Sequence, residues 1–319
     1  MQRLCLRNSD ERLLFSELID EFLRMRKNAN LSEKTIEYYE DCSKYFCEFF
    51  DKNLPCGDIN KQTFNAYIEY LRETKKISQA TMKSYLTGLR AIINFGIEEN
   101  YIHWFKMVLP KMDEVAKETY TDGELDKLLR KPKMGKKTPF SEYRNWVIIN
   151  YMLATGNRLG TIANIKIEDI DFHNGSILLK KTKGRRQYII PLSEAISRIL
   201  KEYLTYRKGE PEDYLFCTVY GKKISERTIE CQIARYNKNR GVQKTSVHAF
   251  RHTFAKSWIL NGGDIFRLQK ILGHKSLDMV KKYVNIFNDD LQKDFNEFNP
   301  LDNIMSKNNL NGDKIRLNK

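Results

Sequence analysis

From Leu13 to Glu99 the apolar residues return at three- and four-residue steps and almost nowhere alternate. A chain patterned this way buries its apolar side by packing helix on helix, because a side-chain period near 3.6 leaves no continuous face on a strand. Leu14, Leu18, Phe22 and Met25 mark one helix, and Tyr38, Tyr45, Phe46 and Phe49 mark the next. Helix starts read at Ser32-Glu33-Lys34, at Asn60 before Thr63-Phe64 and at Ser78 before Thr81-Met82. The expectation is a compact bundle of about four helices. The segment Ser78 to Phe95 sets Lys83, Thr87 and Arg90 on one face and Met82, Leu86 and Leu89 on another. That polar face either follows a phosphate backbone or is simply solvated.

Between Met107 and Thr119 the periodicity breaks around Pro110 and a charged stretch, which reads as a linker. With 319 residues to place, two cores are expected. The boundaries are an N-terminal extension over 1–12, a helical domain over 13–107, a linker over 108–119, a second domain over 120–287 and a tail over 288–319. Thr121-Asp122-Gly123-Glu124 opens the second domain as a capped helix carrying Leu125, Leu128 and Leu129. An apolar helix from Trp146 to Leu153 ends at Gly156, and Arg158 follows almost at once. From Ile165 the period shortens, and Ile177-Leu178-Leu179 and Tyr188-Ile189-Ile190 read as two strands of a hairpin. Its turn carries Lys180, Lys181, Lys183, Arg185 and Arg186 around Gly184, cations that repel unless a polyanion neutralises them. Ser246 and Gly262-Gly263 bracket a further helix holding His248 and Arg251. The fold class is therefore mainly α, with a small antiparallel β-hairpin sheet inside a mixed, mostly helical second domain.

Composition narrows the partners. Hydrophobic residues make up 41% of the chain and charged residues 30%, enough for a core under a charged surface. No apolar run approaches the roughly 20 residues that cross a bilayer, so no membrane is expected and a cytoplasmic location is. The six cysteines form no C-x-x-C pair and read as reduced structural thiols. The net charge of +14 is unevenly placed. Residues 1–115 hold 17 Lys and Arg against 18 Asp and Glu, and residues 116–319 hold 38 against 23. The whole positive surplus thus belongs to the second domain, where it would recruit a polyanion such as DNA.

His248 and Arg251 stand three apart on one predicted helix, so they share a face and can reach one small anion together. An Arg offers a rigid fork to two phosphate oxygens, and a second one steadies the extra charge of a pentacoordinate phosphorus. Arg158 is the second candidate, the alternative being a buried Arg paired with a carboxylate. Downstream come Leu272-Gly273-His274 and, nine residues past that histidine, Tyr283. A phenol of ordinary pKa about 10 attacks poorly near neutrality and needs a base or a positive field, both available here. His274 can hydrogen-bond a nonbridging oxygen, and Lys183 on the hairpin tip can protonate a departing 5'-oxygen. His248 and His252 have a zinc-compatible spacing, but no Glu follows the first His and Arg251 would repel a cation, so no metal is expected.

Arg158 after a Thr-Gly turn, Lys183 on a hairpin ahead of Pro191-Leu192, His248-x-x-Arg251, Leu272-Gly273-His274 and Tyr283 resemble, in this order, the signature of the tyrosine recombinases, also called phage integrases. The resemblance runs from about Phe15 to Phe287. It implies a SAM-like core-binding domain that clamps DNA, followed by a catalytic domain, with Arg158, Lys183, His248, Arg251, His274 and the nucleophile Tyr283 as catalytic residues. Lys83, Thr87, Arg90, Lys181, Arg185 and Arg186 are the candidate DNA contacts. The implied reaction is transesterification through a 3'-phosphotyrosine, with no cofactor or metal. Its partners would be double-stranded DNA and a homo-tetramer on two DNA sites, with room for a directionality factor. Family members often carry an acidic residue three positions after the first Arg, where this chain has Thr161, so another group must brace Arg158. The stretch from Leu291 to Met305 is the candidate for packing on a neighbouring protomer, or else folds onto its own domain. A site-specific DNA recombinase, serving integration, excision or resolution of a mobile element, is the leading function. A type IB topoisomerase-like nicking enzyme and a non-catalytic DNA-binding regulator are the alternatives.

Overall fold

The computed structural model describes residues 13–111, 118–133, 135, 139–180, 187–274, 276, 277 and 301. The chain divides into two compact units, Met1–Val115 and Ala116–Lys319. In the first, α1 (Phe15–Asn28), α2 (Glu33–Cys47), α3 (Lys61–Glu69) and α4 (Gln79–Glu98) enclose a core of Phe15, Leu18, Phe22, Phe46, Phe64, Tyr67, Leu86, Leu89 and Ile92. The start signals at Ser32, Asn60 and Ser78 are all N-caps. Asn60 accepts from the backbone of Gln62 and Thr63 at 2.8 and 3.2 Å, and Ser78 from Thr81 at 3.2 Å. The Ser32 hydroxyl pairs with Thr35 Oγ1 instead. On α4, Met82, Leu86 and Leu89 are buried, Lys83 and Thr87 are exposed and Arg90 is half-buried. Thr87 returns its hydroxyl proton to the Lys83 carbonyl at 2.7 Å.

The second unit is built on α6 (Phe140–Thr155), which is buried on nearly every side from Tyr143 to Met152. Such a helix needs neighbours all round. They are α5 (Asp122–Leu129), α8 (Glu194–Arg207), α9 (Glu226–Asn239) and α10 (Val247–Leu260), with the short α7 (Leu159–Ile162) and α11 (Ile265–Leu272) beside the site described below. The expected hairpin is present as β2 (Ser176–Leu179) and β3 (Tyr188–Pro191), in register Ile177↔Ile190 and Leu179↔Tyr188. A two-residue strand β1 (Ile170–Asp171), too short to leave a periodic signal, adds a third antiparallel member on the β2 side. Among the described residues no helix is long and apolar enough to cross a membrane. Described cysteines are free thiols, and burial pushes those of Cys42 and Cys56 up to about 11.

The hairpin base corrects one expectation. Lys180 is not an unneutralised member of the cationic tip, because its Nζ lies 2.7 Å from Glu168 and 2.8 Å from the buried Asp169. Those two acids stand 11 and 12 positions upstream, beyond any local charge count. Lys181, Lys183, Arg185 and Arg186 lie outside the described residues.

Entry into the second unit is pinned to α10. The Tyr120 N–H donates to Thr253 Oγ1 at 2.8 Å, its ring stacks on Phe250 at 4.2 Å, and its hydroxyl donates to the Ser246 carbonyl. Thr121 and Glu124 form the expected capping box, and Lys244 Nζ meets Glu124 at 3.0 Å. Backbone N–H donation from Thr121, with Lys244 adding to it, holds the Glu124 carboxyl below its ordinary value. A depressed carboxylate contributes stability that is complete above the unfolded value, about 4.3, and is lost as pH falls through the lower folded value. Glu124→Gln should melt on the order of 2 °C below the parent at pH 7, with the difference narrowing as pH falls below the ordinary carboxylate value, as followed by circular dichroism.

Candidate active site

Arg251 occupies a buried position on α10, only 6% exposed. A guanidinium taken from water to such a depth must keep its hydrogen bonds. Here the acceptors come from two helix ends. Its Nη1 donates to the Gly156 carbonyl at 2.6 Å, at the C-cap of α6, and its Nη2 to the Leu272 carbonyl at 2.9 Å, at the end of α11. Carbonyls in the last turn of a helix lack intrahelical donors and carry the negative end of the helix dipole, so both favour a cation. Nη2 also lies 2.7 Å from His274 Nε2, a geometry that makes this ring nitrogen the acceptor.

Two left-handed glycines make this possible. Gly156 (φ +60°) ends α6 and turns the chain toward Arg158; Gly273 (φ +61°) ends α11 and leads into His274. His274 is tied back to its helix at both backbone groups, its N–H donating to the Gln269 carbonyl at 3.1 Å and its own carbonyl accepting from Gln269 Nε2 at 3.2 Å. A Cβ on Gly156 would stand 2.5 Å from Phe254 Cδ1 and 2.8 Å from Leu272 Cδ2. Gly156→Ala is therefore expected to combine left-handed strain of roughly 1–2 kcal/mol with overpacking of about 1–3 kcal/mol. Urea unfolding should read a loss of about 2–5 kcal/mol, the two contributions together.

Arg158 is the N-cap residue of α7 and is half-buried. Its Nη1 reaches the same Leu272 carbonyl at a long 3.4 Å. Among the described residues no carboxylate pairs with it. Thr161, one turn on, is buried and donates its backbone N–H to the Arg158 carbonyl at 2.9 Å. The brace that an acidic residue would have supplied is partly replaced by the Leu272 carbonyl. His248 sits one turn before Arg251 on α10 and is exposed.

Arg158, Arg251 and His274 are thus brought together from three parts of the chain. Lys183 and Tyr283 lie outside the described residues, as does the tail segment Leu291 to Met305 apart from an exposed Leu301. Lys83, Thr87 and Arg90 belong to the first unit, on a face of α4. Among the described residues no group of three or more His, Cys, Asp or Glu side chains could hold a metal ion. Motif spacing did not reveal the carbonyls of Gly156 and Leu272, because backbone acceptors have no sequence signature beyond the glycine that ends each helix. Nor did it reveal Tyr188, whose phenol is pushed above its ordinary value by burial and pulled back by Arg251 and Arg158.

The helical core thus presents two arginines and a histidine at converging helix ends, a cationic cluster suited to an anion. Residues 120–289 match the family model described as phage integrase family, and residues 14–106 match the phage integrase SAM-like domain. The chain belongs to the phage integrase family, whose members are the tyrosine recombinases. It is similar to tyrosine recombinase XerC of Staphylococcus aureus, 28% identical over 284 residues that cover 86% of this chain and 93% of that protein. Tyrosine recombinase XerD of the same organism is 26% identical over 295 residues, covering 89% and 98%. The fold is also that of a lambda integrase tetramer bound to a Holliday junction, at a TM-score of 0.69 and 20% identity, over 86% of this chain and 78% of that one.

Proposed function

We propose that this enzyme is a site-specific DNA recombinase that cuts and rejoins strands through a 3'-phosphotyrosine on Tyr283. The observation that supports it most is the convergence of Arg158 and Arg251 on the Leu272 carbonyl, with His274 on Arg251. Two guanidinium groups set side by side and held by neutral carbonyls keep their positive charge for an incoming anion. The scissile phosphate would lie between them, with His274 on a nonbridging oxygen. His248 would take the phenolic proton as the Tyr283 oxygen bonds to phosphorus; the bond from phosphorus to the 5'-oxygen breaks, and Lys183 returns a proton to that oxygen. The 5'-hydroxyl of a second strand reverses these steps. One ester replaces another of similar energy, so the scheme needs no nucleotide or metal.

The positive surplus of the second unit, 38 Lys and Arg against 23 Asp and Glu over residues 116–319, suits a double-stranded DNA partner. Lys83, Thr87 and Arg90 would add contacts from the first unit, and Lys181, Arg185 and Arg186 from the hairpin tip. Exchange between two duplexes calls for four protomers, the assembly named for the lambda integrase structure. The setting we assign is integration, excision or resolution of a mobile element, with a directionality factor setting the balance. Over the domains, this reading makes 13–107 the core-binding clamp, 108–119 the linker, 120–287 the catalytic domain and 288–319 a tail that packs on a neighbour.

The test begins with a random-sequence duplex library, nicked so that the short fragment bearing the new 5'-hydroxyl is lost on cleavage, from which the full-length protein selects its own site as an SDS-resistant adduct. Two duplexes carrying that site should then yield recombinant products. Adduct with relaxation of supercoils but no exchange would make it a nicking enzyme instead. Absence of any adduct would leave only a DNA-binding role.

A further inference from the structure

Tyr188 opens β3 and closes the hairpin base opposite Leu179. Its side chain is partly buried against the main core, and the end of its ring lies over Gly273. A Cβ built on that glycine would stand 2.5 Å from the phenolic oxygen, 2.9 Å from Cζ and 3.1 Å from Cε1. Gly273 separates the two groups that meet the arginines: Leu272, whose carbonyl takes both guanidinium groups, and His274, whose Nε2 meets Arg251. This turn hangs on a helix of 8 residues with a small core of its own, made by Ala255, Leu268 and Leu272. A short helix end left to itself frays. An outside support is needed if the arginines are to keep their aim, and the ring of Tyr188 is placed to supply it.

We propose that Tyr188 is a positioning residue for the strand-cleavage reaction: held by the sheet, its ring backs the Leu272-Gly273-His274 turn and so fixes the carbonyl and imidazole that orient Arg158 and Arg251. The proposal rests on reading those arginines as the phosphate clamp. Misplacing a clamp by about 1 Å costs on the order of 100-fold in rate while leaving the overall charge that attracts DNA unchanged.

The experiment uses full-length protein and the selected duplex in three forms, with single-turnover adduct formation as the readout. One form carries an ordinary scissile phosphodiester, one a methylphosphonate, and one a bridging sulfur in place of the 5'-oxygen. The methylphosphonate lacks the anionic oxygen that the arginines neutralise, so a defect transmitted through them shrinks on it. The sulfur leaves as a thiolate without being protonated, so a defect in proton donation shrinks on that form instead. Tyr188→Ala should slow the phosphodiester reaction at least about tenfold, stay as slow on the bridging-sulfur form, and come within about threefold of the parent on the methylphosphonate. Tyr188→Phe, which keeps the ring, should remain within about threefold of the parent on all three.

Equal slowing of Tyr188→Ala on every form would overturn the proposal, as would relief on the sulfur form or no slowing at all. Tyr188→Leu carries the same comparison if the Ala variant does not fold. Arg251→Lys on the same substrates tests the clamp separately. If its slowing fails to shrink on the methylphosphonate, the clamp reading falls and this proposal with it. Relief for Arg251→Lys without relief for Tyr188→Ala overturns the role of Tyr188 alone.

Discussion

Tyr283→Phe will leave no SDS-resistant adduct on the nicked duplex while binding the same DNA within about twofold of the parent. The substitution removes one oxygen atom, and that oxygen is the one that would form the bond to phosphorus. Nothing else in the proposed site is assigned to that bond: His248 takes the phenolic proton, His274 holds a nonbridging oxygen and Lys183 protonates the leaving oxygen. A nucleophile's loss is commonly worth a factor of about 10⁴ or more, which places the variant below detection. Binding survives because the positive surplus over residues 116–319 is untouched by a neutral change. An adduct that formed in Tyr283→Phe would move the nucleophile elsewhere, and peptide mapping would say where. Tyr188, close enough to Arg158 and Arg251 for both charges to act on its phenol, would be the first residue to inspect.

Much of the scaffold was legible because its determinants are local. The capping residues Ser32, Asn60, Ser78 and Thr121 and the helix end at Gly156 are written within a few residues of the structure they cause. The hairpin strands were legible for the same reason, since β2 and β3 pair across a short tip. What escaped notice is long-range. Lys180 looks like a free cation until folding brings Glu168 and Asp169 beside it. The shared carbonyl of Leu272 lies 114 positions from Arg158 and 21 from Arg251, and no residue type encodes a carbonyl. The functional pattern put the arginines and His274 in one site, and the structure sets the three side by side, but the pattern could not say that helix ends hold them. That difference bears on Thr161: with a carbonyl shared between the arginines, the missing acid leaves Arg158 less tightly held than Arg251 rather than unheld.

This inequality makes the two arginines separable. Arg251→Lys should reduce the rate of adduct formation by about 10²–10³, because a lysine cannot present a fork to two phosphate oxygens. It should also destabilise the second unit by roughly 1–3 kcal/mol, since one ammonium cannot replace donors to the Gly156 carbonyl, the Leu272 carbonyl and His274 Nε2 in a position only 6% exposed. Arg158→Lys should lower the cleavage rate by a comparable factor of about 10² but change stability by less than about 0.5 kcal/mol. The one described hydrogen bond of its guanidinium, at 3.4 Å from a half-buried position, is long enough to contribute little. Urea melts and single-turnover cleavage on the same preparations separate these outcomes. A large stability loss in Arg158→Lys would mean that this guanidinium is a structural strut, and would remove it from the clamp. Retained cleavage in Arg251→Lys would mean that a point charge suffices at the end of α11, so that the fork geometry built from two helix ends serves the fold and not the phosphate.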